Sequence, residues 1–108
     1  MEVGDDLFVI PIYEDYELLV LYSVEISITT ESSSGDVVVQ LRNTVQGDVD
    51  VLLDPLQIDE GYFFSKDSAD PYDIDWNYAV VAWGDLIAVD VDSAGTDVKG
   101  LGIQLMFK

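Results

Sequence analysis

Apolar and polar residues alternate with a period of two along most of this chain. The clearest stretch places Tyr22, Val24, Ile26 and Ile28 on one face and Ser23, Glu25, Ser27 and Thr29 on the other. Successive side chains of an extended backbone point to opposite sides, so this spacing predicts a half-buried strand. Ser32-Ser33-Ser34-Gly35-Asp36 supplies a turn, after which Val37, Val39 and Leu41 alternate with Val38, Gln40 and Arg42. Asn43 to Gly47 makes a second turn, and Val49, Val51 and Leu53 then alternate with Asp48, Asp50 and Leu52 until Asp54-Pro55 closes the strand. Upstream, Leu7 to Ile12 reads as a short apolar strand whose Pro11 has no N–H to give, which places it at an edge or a bend, with Tyr13 to Tyr16 as the turn beyond it. Downstream, Tyr62-Phe63-Phe64 is a brief aromatic strand, and Ser65 to Tyr72 is the longest polar loop. Trp76, Tyr78, Val80 and Ala82 share one face, with Ala79, Val81 and Trp83 on the other, the pattern of a strand covered on both sides before Gly84-Asp85 breaks it. Ile87, Val89 and Val91 alternate with Ala88, Asp90 and Asp92; Ser93 to Asp97 turns the chain; Leu101, Ile103, Leu105 and Phe107 form the last strand.

These are about eight short strands at roughly 8–12-residue spacing, the rhythm of an all-β sandwich or barrel. Only Leu56 to Glu60 hints at a helical turn. The sequence shows neither internal repeat nor linker, and 108 residues suit one domain spanning 1–108. Nothing after the last strand reads as a tether to a second domain.

Charge changes the picture. The chain carries 22 Asp and Glu against 4 Lys and Arg, a net charge of −18, yet 49% of its residues are apolar. Acidity therefore does not mean disorder here. A globule of this mass exposes roughly 6,000 Å², so the acids lie about 16 Å apart on average, closer where they cluster at Asp5-Asp6, Asp48/Asp50 and Asp67 to Asp75. Screening falls from about 8 Å at physiological salt to about 3 Å at 1 M, so concentrated salt relieves that repulsion. Asp outnumbers Glu, Lys is scarce, and the surface is the one expected of a protein working in molar salt. For nucleic-acid binding the sign is wrong, since only Arg42, Lys66, Lys99 and Lys108 are available to phosphates. Attraction to an anionic membrane fails for the same reason. The N-terminus lacks the basic and apolar regions of a secretory signal, and no apolar run approaches spanning length, so synthesis in the cytoplasm is expected.

The chain has no Cys and no His, which removes thiolate and imidazole chemistry and the usual zinc ligands. Asp67, Asp70, Asp73, Asp75 and Asn77 bring oxygen ligands together, and Asp73-x-Asp75-x-Asn77 matches the opening of a calcium loop. Tyr78 then stands where the sharp-turn glycine belongs and Gly84 where the bidentate Glu belongs, so a solvated acidic loop is the favoured reading. Asp48/Asp50 and Asp90/Asp92 have the look of paired carboxylates for glycoside hydrolysis, but each pair falls on the polar face of a predicted strand, where solvation is the ordinary state. Ser32 to Ser34 has no base partner. No catalytic residue, metal ligand or cofactor is assigned. Trp76, Trp83, Tyr62, Phe63, Tyr72 and Tyr78 suit either a core, a subunit contact or a sugar platform, and core or interface is preferred.

From Val80 the chain reads Val-Val-Ala-Trp-Gly-Asp-Leu-Ile-Ala-Val-Asp-Val-Asp, then a Gly-containing turn and the closing Leu-Gly-Ile-Gln-Leu-Met-Phe strand. This pattern resembles the C-terminal half of small jelly-roll modules on the virions of tailed viruses, in which a Gly-Asp precedes a strand and a turn leads to a final alternating strand. The N-terminal half is similar in outline, with Leu7 to Ile12 entering, Tyr16 to Thr30 as a long strand and Val37 to Asn43 as its neighbour. The resemblance implies a jelly-roll-like sandwich of two antiparallel sheets. It also implies a capsid decoration, turret or fibre-type protein, a cyclic homo-oligomer that contacts other capsid proteins. Together with the acidity it points to a virus of halophilic archaea and to the virion as the place of residence. The loop from Gly61 to Trp76 and the edge near Leu7 to Ile12 are the expected contact surfaces. A carbohydrate-binding or adhesion module is the second expectation, and an acidic mimic of nucleic acid the third.

Overall fold

The computed structural model describes residues 3–11, 19–45, 47–81 and 85–108, with the backbone alone at 5–8. Ten strands run in chain order among these residues: β1 (Gly4–Pro11), β2 (Leu19–Ser27), β3 (Val37–Asn43), β4 (Val49–Asp50), β5 (Leu52–Asp54), β6 (Leu56–Ile58), β7 (Asp73–Ile74), β8 (Val80–Val81), β9 (Leu86–Ala94) and β10 (Gly102–Phe107). A single 3-10 turn, Ser65–Asp67, lies between β6 and β7. Every ladder is antiparallel. The all-β, sandwich-like expectation is met, with ten shorter strands in three sheets in place of about eight in two.

The largest sheet runs β1-β9-β3, and one edge of β3 is shared by β4 at one end and β6 at the other. A second sheet runs β10-β2-β8, and β5 pairs with β7 as a small ribbon. The inward rows of both larger sheets meet in one core: Leu21, Val24 and Ile26 of β2 join Val37, Val39 and Leu41 of β3, Leu56 and Ile58 of β6, and Ile87, Val89 and Val91 of β9. Burying β-branched and leucine side chains on facing pleats supplies the driving force, at about 25 cal/mol for each Å² of apolar surface removed from water.

Five segments depart from the expected pattern. In β2, Phe107 of β10 pairs with Leu21 and Met106 with Ser23, so Tyr22 is an extra residue in a bulge. It is thereby turned outward instead of sharing the buried face of Val24, Ile26 and Ile28. The expected strand through Val49, Val51 and Leu53 breaks at Val51: β4 stays on β3, while β5 leaves to pair with β7, burying Leu52 and exposing Leu53. The Gln40 side chain fills the gap, donating to the Leu52 carbonyl at 3.0 Å and accepting from the Leu52 N–H at 3.2 Å. Leu56 to Glu60 is no helical turn, because Leu56–Ile58 returns to β3 as β6 with both apolar side chains inward. Tyr62-Phe63-Phe64 forms a single bridge, Phe64 to Ser27, in place of a strand, and Trp76 to Tyr78 is a turn ahead of the short β8.

Pro11 closes β1, which lies at the edge of the large sheet as its missing N–H required. The expected turn Tyr13 to Tyr16, the residues Ile12, Ala82 and Trp83 and the break at Gly84 lie outside the described residues.

Candidate functional site

Arg42 holds the most concentrated charge chemistry of the fold. It stands on the outer face of β3 in register with Ala88 of β9, two positions along from Asp90 on the same face. Its Nε donates to Asp90 Oδ2 at 2.9 Å and its Nη2 to Asp90 Oδ1 at 3.2 Å, a two-pronged pairing, while Nη1 reaches Asp48 on the turn before β4. The hydrogen bonds to Asp90 first, and to Asp48 second, push the guanidinium pKa further up, so it is charged at every relevant pH. Asp90 is thus buried and paired, in contrast to the solvated state expected of it, whereas Asp92, Asp48 and Asp50 face solvent. A carboxylate held on two sides by one guanidinium is a structural partner of that cation. Beside this knot, Asn43 Nδ2 donates to Asp85 Oδ2 at 3.1 Å with both residues buried, and Asn43 Oδ1 accepts from Val45 N–H.

A second group of bonds ties the acidic loop to the sheets. Asp59 accepts from the Ala69 N–H at 2.9 Å, from Gln57 Nε2 at 2.8 Å and from Ser68 Oγ at 3.0 Å. These donors, the Ala69 amide foremost and then Gln57, hold its carboxyl below the usual range against the opposing effect of desolvation. Glu25 accepts from Ser65 Oγ at 2.6 Å and from the Lys66 N–H at 2.9 Å, and Ser65 Oγ in turn accepts from the Ile26 N–H. Asp36 and Glu60 form a reciprocal box: Asp36 accepts from the Glu60 N–H and Glu60 from the Gly35 N–H, both at 2.8 Å. Ser32 Oγ donates to the Ser34 carbonyl and accepts from the Thr96 N–H, which makes it a buried turn fastener.

The calcium-like residues do not converge. Asp67 ends the 3-10 turn, Asp70 lies in a bend, Asp73 belongs to β7, and Asp75 accepts from the Asn77 N–H to close a turn. Among the described residues no three carboxylates form a cation cradle.

For the aromatic residues the structure overturns the core half of the preferred core-or-interface reading. Trp76 is 60% exposed and Tyr62 51%, and Phe63, Phe64 and Tyr78 are exposed as well, so none of these five fills the core. Tyr72 does pack against it, its hydroxyl accepting from the Val24 N–H at 3.2 Å, and Trp83 lies outside the described residues. Lys66 lies over the Phe64 ring and Lys108 over the Tyr22 ring at 5.2 and 5.4 Å. Phe64 also walls an open groove of about 310 Å³ with Glu25, Ser27, Gly102, Ile103 and Gln104.

Sequence reasoning missed Arg42, Asp90 and Asp59 as organisers. The signal for the first pair was present: Arg42 is the lone arginine, set in an alternating strand, and such a residue in an acidic chain calls for a carboxylate on a neighbouring strand. Comparison with protein families, with curated proteins and with solved structures returns no match to this chain.

Proposed function

We propose that this protein is a non-enzymatic structural component of a virion, of the capsid-decoration or turret kind, that works as a homo-oligomer in concentrated salt and docks on other capsid proteins. The observation that carries the reading is how the polar chemistry is spent. Asp85 and Asp90 are the buried carboxylates among the described residues, and each is bonded within the sheets, to Asn43 and Arg42. Buried side-chain polar atoms among those residues all have partners; the half-buried Glu25, Asp36, Asp59 and Asp75 fasten turns and the acidic loop, and the other described carboxylates face solvent. Such a rigid, acid-coated sandwich is suited to bearing contacts repeated over a shell, where weak single contacts sum to firm attachment. The virion assignment itself comes from the resemblance of the Val80 to Phe107 pattern to jelly-roll virion modules.

The test is molar mass by light scattering after gel filtration in about 3 M salt and again at about 0.15 M, where the screening length is about 8 Å. A discrete oligomer of the 12.0 kDa chain that persists only in high salt is the expected result, and a monomer indifferent to salt overturns the reading.

The exposure of Trp76 and Tyr62 favours a second reading, a carbohydrate-binding module, because flat aromatic faces in solvent stack on sugar rings. Retention on immobilised glycans that Trp76→Ala abolishes would support it. No retention of the parent protein removes it.

A further inference from the structure

The three-stranded sheet ends on β10, and no described residue pairs with its outer edge. The ladder on its inner side fixes which groups that edge displays. Lys108 and Val20 exchange both backbone bonds, at 3.0 and 2.9 Å. Val24 and Ile26 spend their N–H groups on the far side of β2, on the Tyr72 hydroxyl and on Ser65 Oγ. Their partners across the ladder are Leu105 and Ile103. Opposed residues of this non-bonded kind turn their N–H and C=O groups away from each other, so Ile103, Leu105 and, by alternation from Lys108, Phe107 point theirs outward. The side chains of the same three residues pack against the core but are only half-buried, while Val24 and Ile26 beside them are sealed. An open row of backbone donors and acceptors and an incompletely covered apolar row therefore coincide on one strand.

The other edges are blunted by the usual devices of charge, proline, bulge or shortness. β1 carries Asp5, Asp6 and Pro11 and a break in register between Gly4 and Phe8. β4 and β8 have two residues each and β6 has three. β10 has no charge, proline or shortness to protect it, since its six residues are Gly-Ile-Gln-Leu-Met-Phe, and the bulge in its ladder places the extra residue, Tyr22, on β2. In a chain of net charge −18, residues 98–108 contain no Asp or Glu and hold Lys99 and Lys108, two of the four basic residues.

We propose that β10 is the assembly edge, pairing antiparallel with β10 of a second copy across a two-fold axis and joining two three-stranded sheets into one of six. This rests on the homo-oligomeric reading above and names its surface. Charge selects the occupant: two strongly acidic chains meet with least repulsion where both strands lack carboxylates and are flanked by lysines. The strand is also complementary to itself. Directly opposed residues of an antiparallel pair lie on the same face, so Ile103, Leu105 and Phe107 of both copies continue one apolar row, and Gln104 and Met106 one outer row. Isologous pairing of this kind closes on itself and leaves no propagating edge at β10.

The test is residue-resolved amide hydrogen exchange on the intact protein in about 3 M salt, at high and at low protein concentration, with molar mass read by light scattering in parallel. The expected result is a dimer, or an even multiple, in which the amides of Ile103, Leu105 and Phe107 exchange at least about tenfold more slowly than in the diluted monomer. Gln104 and Met106, whose amides already face β2, change little. An oligomer in which those three amides exchange as fast as in the monomer overturns edge pairing and leaves the oligomeric reading standing. A chain that is monomeric at every concentration and salt overturns both.

Discussion

At the scale of single residues, the Arg42 and Asp90 pair shows how an acidic chain can bury charge. The Arg42 side chain keeps 16% of its exposure and Asp90 7%, so the two partners are unequal when one is removed. Arg42→Ala leaves the Asp90 carboxylate buried without its guanidinium, whereas Asp90→Ala leaves Arg42 beside Asp48 and solvent. Removing one partner of a buried ion pair costs about 3 kcal/mol or more. Urea unfolding should therefore show the larger loss, about 3 kcal/mol, for Arg42→Ala, and a smaller one for Asp90→Ala; the reverse order would mean that Asp48 and water do not compensate Arg42. Asp59 gives a second residue-scale prediction with a defined sign. Its carboxyl is depressed in the folded protein by the Ala69 amide and Gln57, so its contribution is present above the unfolded value of about 3.9 and is lost as pH falls through the lower folded value. Asp59→Ala should lose about 1–2 kcal/mol at neutral pH and flatten the acid side of the stability profile below about pH 4. An acid limb as steep as that of the parent would assign the pH dependence to other carboxylates.

At the scale of elements, the strands that were legible in the sequence are those whose two faces differ in chemistry. Val24, Ile26 and Ile28, the Val37 to Leu41 row and the Ile87 to Val91 row are buried as their period of two required. What escaped the pattern escaped for particular reasons. Leu52-Leu53 offers an apolar residue to either face, and only the ribbon between β5 and β7, with Gln40 bridging the gap, decides that Leu52 goes in. Tyr22 continues the Val24 row on paper, and a bulge that depends on β10 turns it out. Asp90 sits at a polar position of its strand, and its burial follows from Arg42 on the next strand, which one-dimensional alternation does not encode. Glycines of positive φ stand between elements, one of them, Gly100, beyond the turn expected at Ser93 to Asp97, and their tolerance is graded by what surrounds them. Gly100 has φ +72°, and a Cβ there would lie 2.0 Å from Thr29 Oγ1, whereas Gly61, at φ +83°, has nothing within 4 Å. Gly61→Ala should cost only the left-handed backbone penalty of about 1–2 kcal/mol. Gly100→Ala should cost clearly more in the same thermal or urea unfolding assay, because the Thr29 side chain and the Thr30 to Lys99 bridge behind it must also shift. Equal losses would show that the bridge yields freely.

At the scale of the whole molecule, the net charge of −18 lies over an accessible surface of 5964 Å² with few cations to offset it. Arg42 is already committed to Asp90 and Asp48, and Lys66 and Lys108 sit over aromatic rings. The exposed acids at Asp67, Asp70 and Asp73 therefore repel one another and the rest of the surface with little local compensation. Repulsion of this kind destabilises the compact state and fades as the screening length shrinks from about 8 Å at 0.15 M to about 3 Å at 1 M. Neutralising those three residues together, as Asp67→Asn, Asp70→Asn and Asp73→Asn, should reproduce part of what salt does. The expected outcome is a melting temperature raised by roughly 5 °C at low salt, a difference that closes as salt approaches the molar range. Asp59 and Glu25, which tie the loop down, are untouched by the substitutions, so the loop keeps its anchors. A gain that persists undiminished in molar salt would mean that the substitutions act through local loop structure and not through charge. A loss at low salt would mean that these carboxylates hold the loop in place, and the case for a surface adapted to concentrated salt would lose its physical basis.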